Sequence, residues 1–136
     1  MTTKVELGTL YLAGPDGAAI AVRPANGKKF THDEWKLAVG GCVETMLPAV
    51  YRHNVWVNEE GILLGLPPNR HTWAFANRDV YIVLNFYPEN WAVSGNALET
   101  WHVTPEEYRA DLPTVNETLE LQRTAMILSE IMEASK

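Results

Sequence analysis

The sequence predicts an α+β domain: a mainly antiparallel sheet with short helices and a long C-terminal helix packed on one face. Three observations lead there. Turn signals such as Gly14-Pro15-Asp16-Gly17 separate short β-prone runs at hairpin spacing. Thr31/Glu34, Thr104/Glu107 and Thr114/Glu117 repeat the three-residue offset of a helix capping box. Apolar residues near the C-terminus recur with a helical period. At 136 residues, 46% apolar and 21% charged, the chain has the size and composition of one globular domain with its own core. No repeat, low-complexity segment or linker divides it, so residues 1–136 read as one unit.

Taken in order, Val5 to Leu12 alternates loosely, turns at Gly14–Gly17 and returns through Ala18 to Val22, a hairpin over residues 4–23. Pro24-Ala25-Asn26-Gly27 closes it. Thr31 then opens a helix over 32–39. Its hydroxyl and the Glu34 carboxylate serve each other's backbone amides, and Phe30 and Trp35 stand at the spacing of a hydrophobic staple. Asp33 and Glu34 suit the positive end of the helix dipole, and Gly40 or Gly41 suits its left-handed stop. Cys42 to Tyr51 reads as a strand kinked or edged at Pro48. Asn54–Val57 and Ile62–Leu64 flank Asn58-Glu59-Glu60-Gly61 as a second hairpin. After Pro67-Pro68, Asn69 is placed to cap a short helix to about Ala76.

Asn77-Arg78-Asp79 is a polar break, and Val80–Phe86 is apolar and β-branched enough for a central strand. Tyr87-Pro88-Glu89-Asn90 turns the chain into a last strand, Trp91–Trp101, bulged at Gly95. Thr104-Pro105-Glu106-Glu107 reads as a short helix ending before Pro113. The final helix covers about 115–134. On it Leu121, Ala125, Leu128 and Met132 form one apolar stripe, widened by Leu119, Met126, Ile127 and Ile131. So broad a surface calls for the sheet or a second subunit, which makes a homodimer through this helix an expectation.

The net charge of −6 argues against general nucleic-acid binding, which needs clustered Lys and Arg. The single cysteine, Cys42, cannot form an internal disulfide. Set in a strand read as buried, it points to an inert core thiol and a reducing cytoplasm. No secretory signal precedes the first strand, and no apolar run approaches membrane-spanning length. The four histidines, His32, His53, His71 and His102, lack metal-motif spacing, and no nucleophile elbow, phosphate loop or dinucleotide fingerprint occurs. No catalytic residue, metal ligand or cofactor is therefore assigned.

Asn69, Arg70, His71 and Trp73 form the candidate ligand- or partner-binding group. A helix start offers unpaired amides to an anion, Arg70 can pair with it, and Trp73 can stack on a base. The competing reading is a structural helix start with Trp73 in the core. Trp56, Trp73, Tyr81, Phe86, Tyr87, Trp91 and Trp101 crowd the middle of the chain, where they divide between core and recognition surface.

Phe30-Thr31 through Val39-Gly40-Gly41 with Val43-Glu44, and then Val57-Asn58-Glu59-Glu60-Gly61 through Gly65-Leu66-Pro67-Pro68-Asn69, resemble the domain-of-unknown-function 3846 family. Those are small proteins of phages, plasmids and other mobile elements. The resemblance covers roughly residues 25–70, with a looser match at Ala92–Leu98. Val80–Asn90 and the long C-terminal helix depart from the family pattern. The resemblance implies a setting, a host cytoplasm if phage-encoded, and no particular reaction. The expected function is that of an accessory protein which inhibits or sequesters a host-defence component, either a host protein or a small nucleotide-like ligand. The alternative is a metal-dependent hydrolase or nuclease using Glu44, His53 and Glu59 or Glu60.

Overall fold

The computed structural model describes residues 4–47, 49, 52–83 and 90–136. Five strands, β1 (Val5–Tyr11), β2 (Ala19–Val22), β3 (Val43–Thr45), β4 (Asn54–Asn58) and β5 (Ala97–Val103), form one sheet in the order β2-β1-β5-β4-β3. Every neighbouring pair is antiparallel. Among the described residues four helices accompany it: α1 (His32–Val39), α2 (Thr72–Phe75), α3 (Arg78–Val83) and α4 (Val115–Ala134). The fold is α+β, as the sequence predicts.

Strand alternation divides the apolar residues between the two faces. Leu10, Leu98 and Val22 turn to one face, where Phe30, Ala38 and Val115 cover them. Tyr11, Ala97, Val55 and Val57 turn to the other, beneath Phe75, Ala76, Tyr81 and Val93. Helices thus lie on both faces: α1 and the start of α4 on one, α2 and α3 on the other. Gly8 leaves a flat seat at the centre of the first face. A Cβ there would stand 2.7 Å from the Glu99 carbonyl and 3.2 Å from the Phe30 ring.

Local grammar is realised where its partners lie within four residues. Thr31 and Glu34 make the reciprocal capping box, and Gly40 ends α1 at φ 81°. Thr114 and Glu117 make the same box at α4. The Glu117 carboxyl is held below its ordinary value, first by the Thr114 amide and then by the Thr114 hydroxyl. A lowered folded value means the contribution is complete above the ordinary value and is lost as pH falls through the folded one. Thr114→Ala should cost about 1 kcal/mol, read as a lower urea midpoint. The gap between variant and wild type should narrow under acid conditions where Glu117 is protonated.

Beyond Thr114, Arg23 joins the end of β2 to α4. Its amide donates to Pro113 O at 3.0 Å and its Nε to Leu112 O at 2.8 Å. Its guanidinium lies 3.8 Å from Glu117.

Several expectations are corrected. Ile62–Leu64 is not a strand: Leu64, Gly65 and Leu66 bond back to Glu60, Ile62 and Gly61 as successive turns, and β4 pairs with β3 and β5 instead. Val80–Val83 belongs to α3 rather than to a strand. The Asn77 carbonyl accepts from the Tyr81 amide at 3.1 Å, and the Tyr81 hydroxyl reaches Leu47 O at 2.7 Å, so packing outweighs β-branched preference. Residues 84–89, the rest of that expected strand and most of its turn, lie outside the described residues.

The last strand starts at Ala97, because Trp91–Asn96 forms a loop in which Gly95 takes φ 100°. Thr104–Tyr108 forms turns rather than a helix: the Glu107 amide bonds the Thr104 carbonyl at 3.0 Å and the Tyr108 amide the Pro105 carbonyl at 3.4 Å. The strand expected over Cys42–Tyr51 shortens to β3, an edge strand, and Cys42 just before it is exposed rather than core. Residues 48, 50 and 51 of that stretch are outside the described set.

Candidate functional site

The loop from Pro67 to His71 crosses the end of the β1–β2 hairpin, which decides where the four sequence-picked residues sit. Asn69 is fully buried. Its Nδ2 donates to Tyr11 O at 2.9 Å and Gly95 O at 3.1 Å, and its Oδ1 accepts from the His71 amide at 3.0 Å. Arg70 Nε and His71 Nε2 both meet the carbonyl of Gly17, at 3.0 and 2.7 Å. For His71 this makes Nε2 the protonated nitrogen, since a carbonyl only accepts. The loop therefore spends Asn69, the Arg70 Nε and the His71 ring on tying three segments together. The cap of α2 is His71, whose side chain makes no capping hydrogen bond; Asn69 stands two residues earlier and accepts from the His71 amide.

Trp73 faces another group. It meets Tyr81 and Trp91 edge-on, with centroids 6.1 and 5.8 Å apart, and the Arg78 guanidinium lies 5.8 Å over its ring. Tyr81 and Trp91 stack at 5.8 Å and 18°. Tyr81 and Trp91 back an open cleft of about 340 Å³ between the end of the β3–β4 ribbon and the Trp91–Ser94 loop. Val57 and Met46 supply its floor, and Glu44 and Glu59 supply carboxylates on its wall.

Its lip comes from the turn after β4. Asn58 holds that turn, Nδ2 on Val39 O at 3.0 Å and Oδ1 accepting from the Glu60 amide at 2.8 Å. Gly61 lies so close to Ser94 O that a Cβ could not fit. Pinned at both ends, the turn presents Ile62 and Leu63 at 77% and 85% exposure, with Leu47 at 72% across the cleft. An apolar lip, an aromatic back and two carboxylates suit an apolar side chain flanked by a cation. They disfavour a phosphate.

A second apolar surface runs along α4. Val115 and Thr118 are buried and Leu119 packs on the core, but Leu121, Met126, Ile127, Leu128, Ile131 and Met132 are 50–69% exposed. The expected packing of the long helix on one face is confined to its start.

The residues of the metal-dependent alternative are not gathered. Glu44 and Glu59 line the cleft, whereas His53 Nδ1 lies 2.7 Å from Glu99 Oε2 on β5. Among the described residues no group of three His, Cys, Asp or Glu is placed to hold a metal ion. Glu99 is nearly buried and accepts from the Tyr11 hydroxyl at 2.8 Å. Burial first, then Glu99, pushes the Tyr11 phenol far above its ordinary value, so it remains a donor. Sequence reading missed this Tyr11–Glu99–His53 chain because its members are 88 and 46 residues apart. It also missed the lip, whose signal was the unbroken Ile62-Leu63-Leu64 run after a glycine.

No protein-family model, curated protein or solved structure matches this chain. Among the described residues, no helix is long and apolar enough to cross a membrane.

Proposed function

We propose that this chain is a small accessory binding protein of a phage or mobile element, acting by holding and so inhibiting a protein component of host defence. The mobile-element setting rests on the family resemblance of residues 25–70. The mode of action rests on the cleft: a hydrophobic lip held out rigidly over an aromatic wall, flanked by Glu44 and Glu59. Large exposed aliphatic side chains beside a shaped hollow are the anatomy of a protein-binding hot spot. The acidic wall and the net charge of −6 favour a partner with Lys or Arg near an apolar anchor, and binding should weaken as salt rises. Capture from host lysate with wild type, Ile62→Ser/Leu63→Ser and Arg70→Ala tests it. The lip variant, still folded by circular dichroism, should lose the captured protein at least tenfold, and Arg70→Ala should retain it. Equal capture by the lip variant would overturn this reading.

The same proposal includes a homodimer through α4. Leu121, Ala125, Leu128 and Met132 follow the four-three-four spacing of a heptad seam, which a second copy of the same helix fits. On that seam Leu121, Leu128 and Met132 are 68%, 55% and 69% exposed, with Ile127 and Ile131 beside them.

A further inference from the structure

The two edges of the sheet are treated differently. At one, the chain leaving β2 is taken up: the Arg23 amide donates to Pro113 O, and Arg23 bridges Thr114. At the other, β3 has β4 on one side only. Glu44 and Thr45 are exposed there, and Val43 is half-buried.

Alternation in an antiparallel pair decides which backbone groups β4 uses. The Glu59 amide donates to Cys42 O at 2.9 Å and the Met46 amide to Val55 O at 2.7 Å, with Glu44 opposite Val57 between them. Residues 42, 44 and 46 therefore turn their backbone groups to β4. The amides and carbonyls of Val43 and Thr45 point the other way, and among the described residues no hydrogen bond meets them. Glu44 shares the sheet face of Val57, the face that Met46 and Val57 floor as the cleft. Open edge and cleft are thus one continuous surface. A strand added to β3 would turn every second side chain over the cleft. Sheet edges are commonly guarded by charge. On β3 the one charge is Glu44, which turns away acidic segments and suits a basic one.

We infer that the partner docks by strand addition: an extended segment pairs antiparallel with β3 and carries, in order, an apolar residue, any residue, and Lys or Arg. The antiparallel sense lets Val43 and Thr45 each exchange both backbone bonds with the residue opposite. It sets the apolar side chain opposite Met46, beside the lip, and the basic one opposite Glu44, on the wall shared with Glu59. The inference rests on the cleft reading proposed above and adds the form of the ligand. Main-chain pairing supplies the grip, and the two alternate side chains supply the choice.

Fluorescence polarisation with the labelled peptide Ser-Thr-Leu-Thr-Arg-Thr-Ser tests it. Binding should weaken with salt, and at least tenfold when glutamate replaces the arginine. N-methylation of the two threonines flanking the arginine removes the donors aimed at β3 and should cost tenfold or more. N-methylation of the leucine and the arginine, whose amides face away, should cost little. Thr45→Pro deletes an outward amide and spares the bonds of Glu44 to β4, so it should weaken the peptide about tenfold with an unaltered circular dichroism spectrum. No binding up to about 1 mM, or equal affinity of the two methylated peptides, would overturn the strand addition. A wild-type dimer that Thr45→Pro reduces to a monomer would give the edge to a second copy and overturn it as well. Ile62→Ser/Leu63→Ser keeps the failures apart. Loss of affinity in that variant with both methylated peptides equal removes the strand addition alone, whereas full affinity in it removes the cleft reading.

Discussion

Asn69→Ala should be the most destabilising single change in the loop that crosses the β1–β2 hairpin, at about 3 kcal/mol. The side chain is fully buried and completes three hydrogen bonds, to the carbonyls of Tyr11 and Gly95 and from the amide of His71. Alanine would strip two carbonyls and one amide of their partners where water does not reach, and would add a small void. Urea unfolding measures the loss directly, and the melting temperature should drop by about 10 °C. Asn69→Asp should be no milder, since an acceptor would then face two carbonyl oxygens. Arg70→Ala, at an exposed side chain with one bond to Gly17 O, should cost less than about 1 kcal/mol. Equal stability of Asn69→Ala and wild type would show that the loop is held some other way.

Leu121→Glu/Leu128→Glu should convert a dimer into a monomer without unfolding it. Both residues are more than half exposed in the single chain, so each substitution alone should move chain stability by no more than about 0.5 kcal/mol. In a paired helix both would lie on the seam. Removing two apolar anchors from each copy and introducing four carboxylates should raise the dimer Kd more than about a hundredfold. Light scattering after size exclusion reads the change as a halved mass, with an unaltered circular dichroism spectrum. A wild-type chain that runs as a monomer at every concentration would dispose of the pairing.

Much of this architecture can be read from the chain, and the limits follow from how far each determinant reaches. The helices opened by Thr31 and Thr114 were legible because each capping box closes within a single turn, and α1 adds its Gly40 stop. The hairpin at 4–23 was legible because its turn chemistry and alternation agree. Val80–Val83 was misread because its state is set by Tyr81 reaching Leu47, 34 residues away. Thr104–Glu107 carries the same letters as the true caps, yet the Glu107 amide bonds a carbonyl rather than a hydroxyl and turns form in place of a helix. In the candidate group, Asn69 is buried in its own hydrogen bonds and Trp73 meets the rings of Tyr81 and Trp91. Whether an amide points into a ligand or into two buried carbonyls is fixed by Tyr11 and Gly95, and no local pattern carries that. Cys42 is exposed just ahead of β3, an edge strand of the sheet, and strand order is not written in local pattern.

The joint between Arg23 and the Leu112–Thr114 segment bears on how strongly a paired molecule could grip its target. Because the root of α4 is bonded to β2, a helix of 20 residues, about 30 Å long, leaves the domain at a set angle rather than on a swivel. Two copies joined along it would present their clefts at a constant separation. A target displaying two matching anchors would then be engaged twice, the second contact forming at a raised effective concentration. Selectivity would follow from spacing: symmetric assemblies that match the span would be held, while single subunits bearing the same anchor would escape.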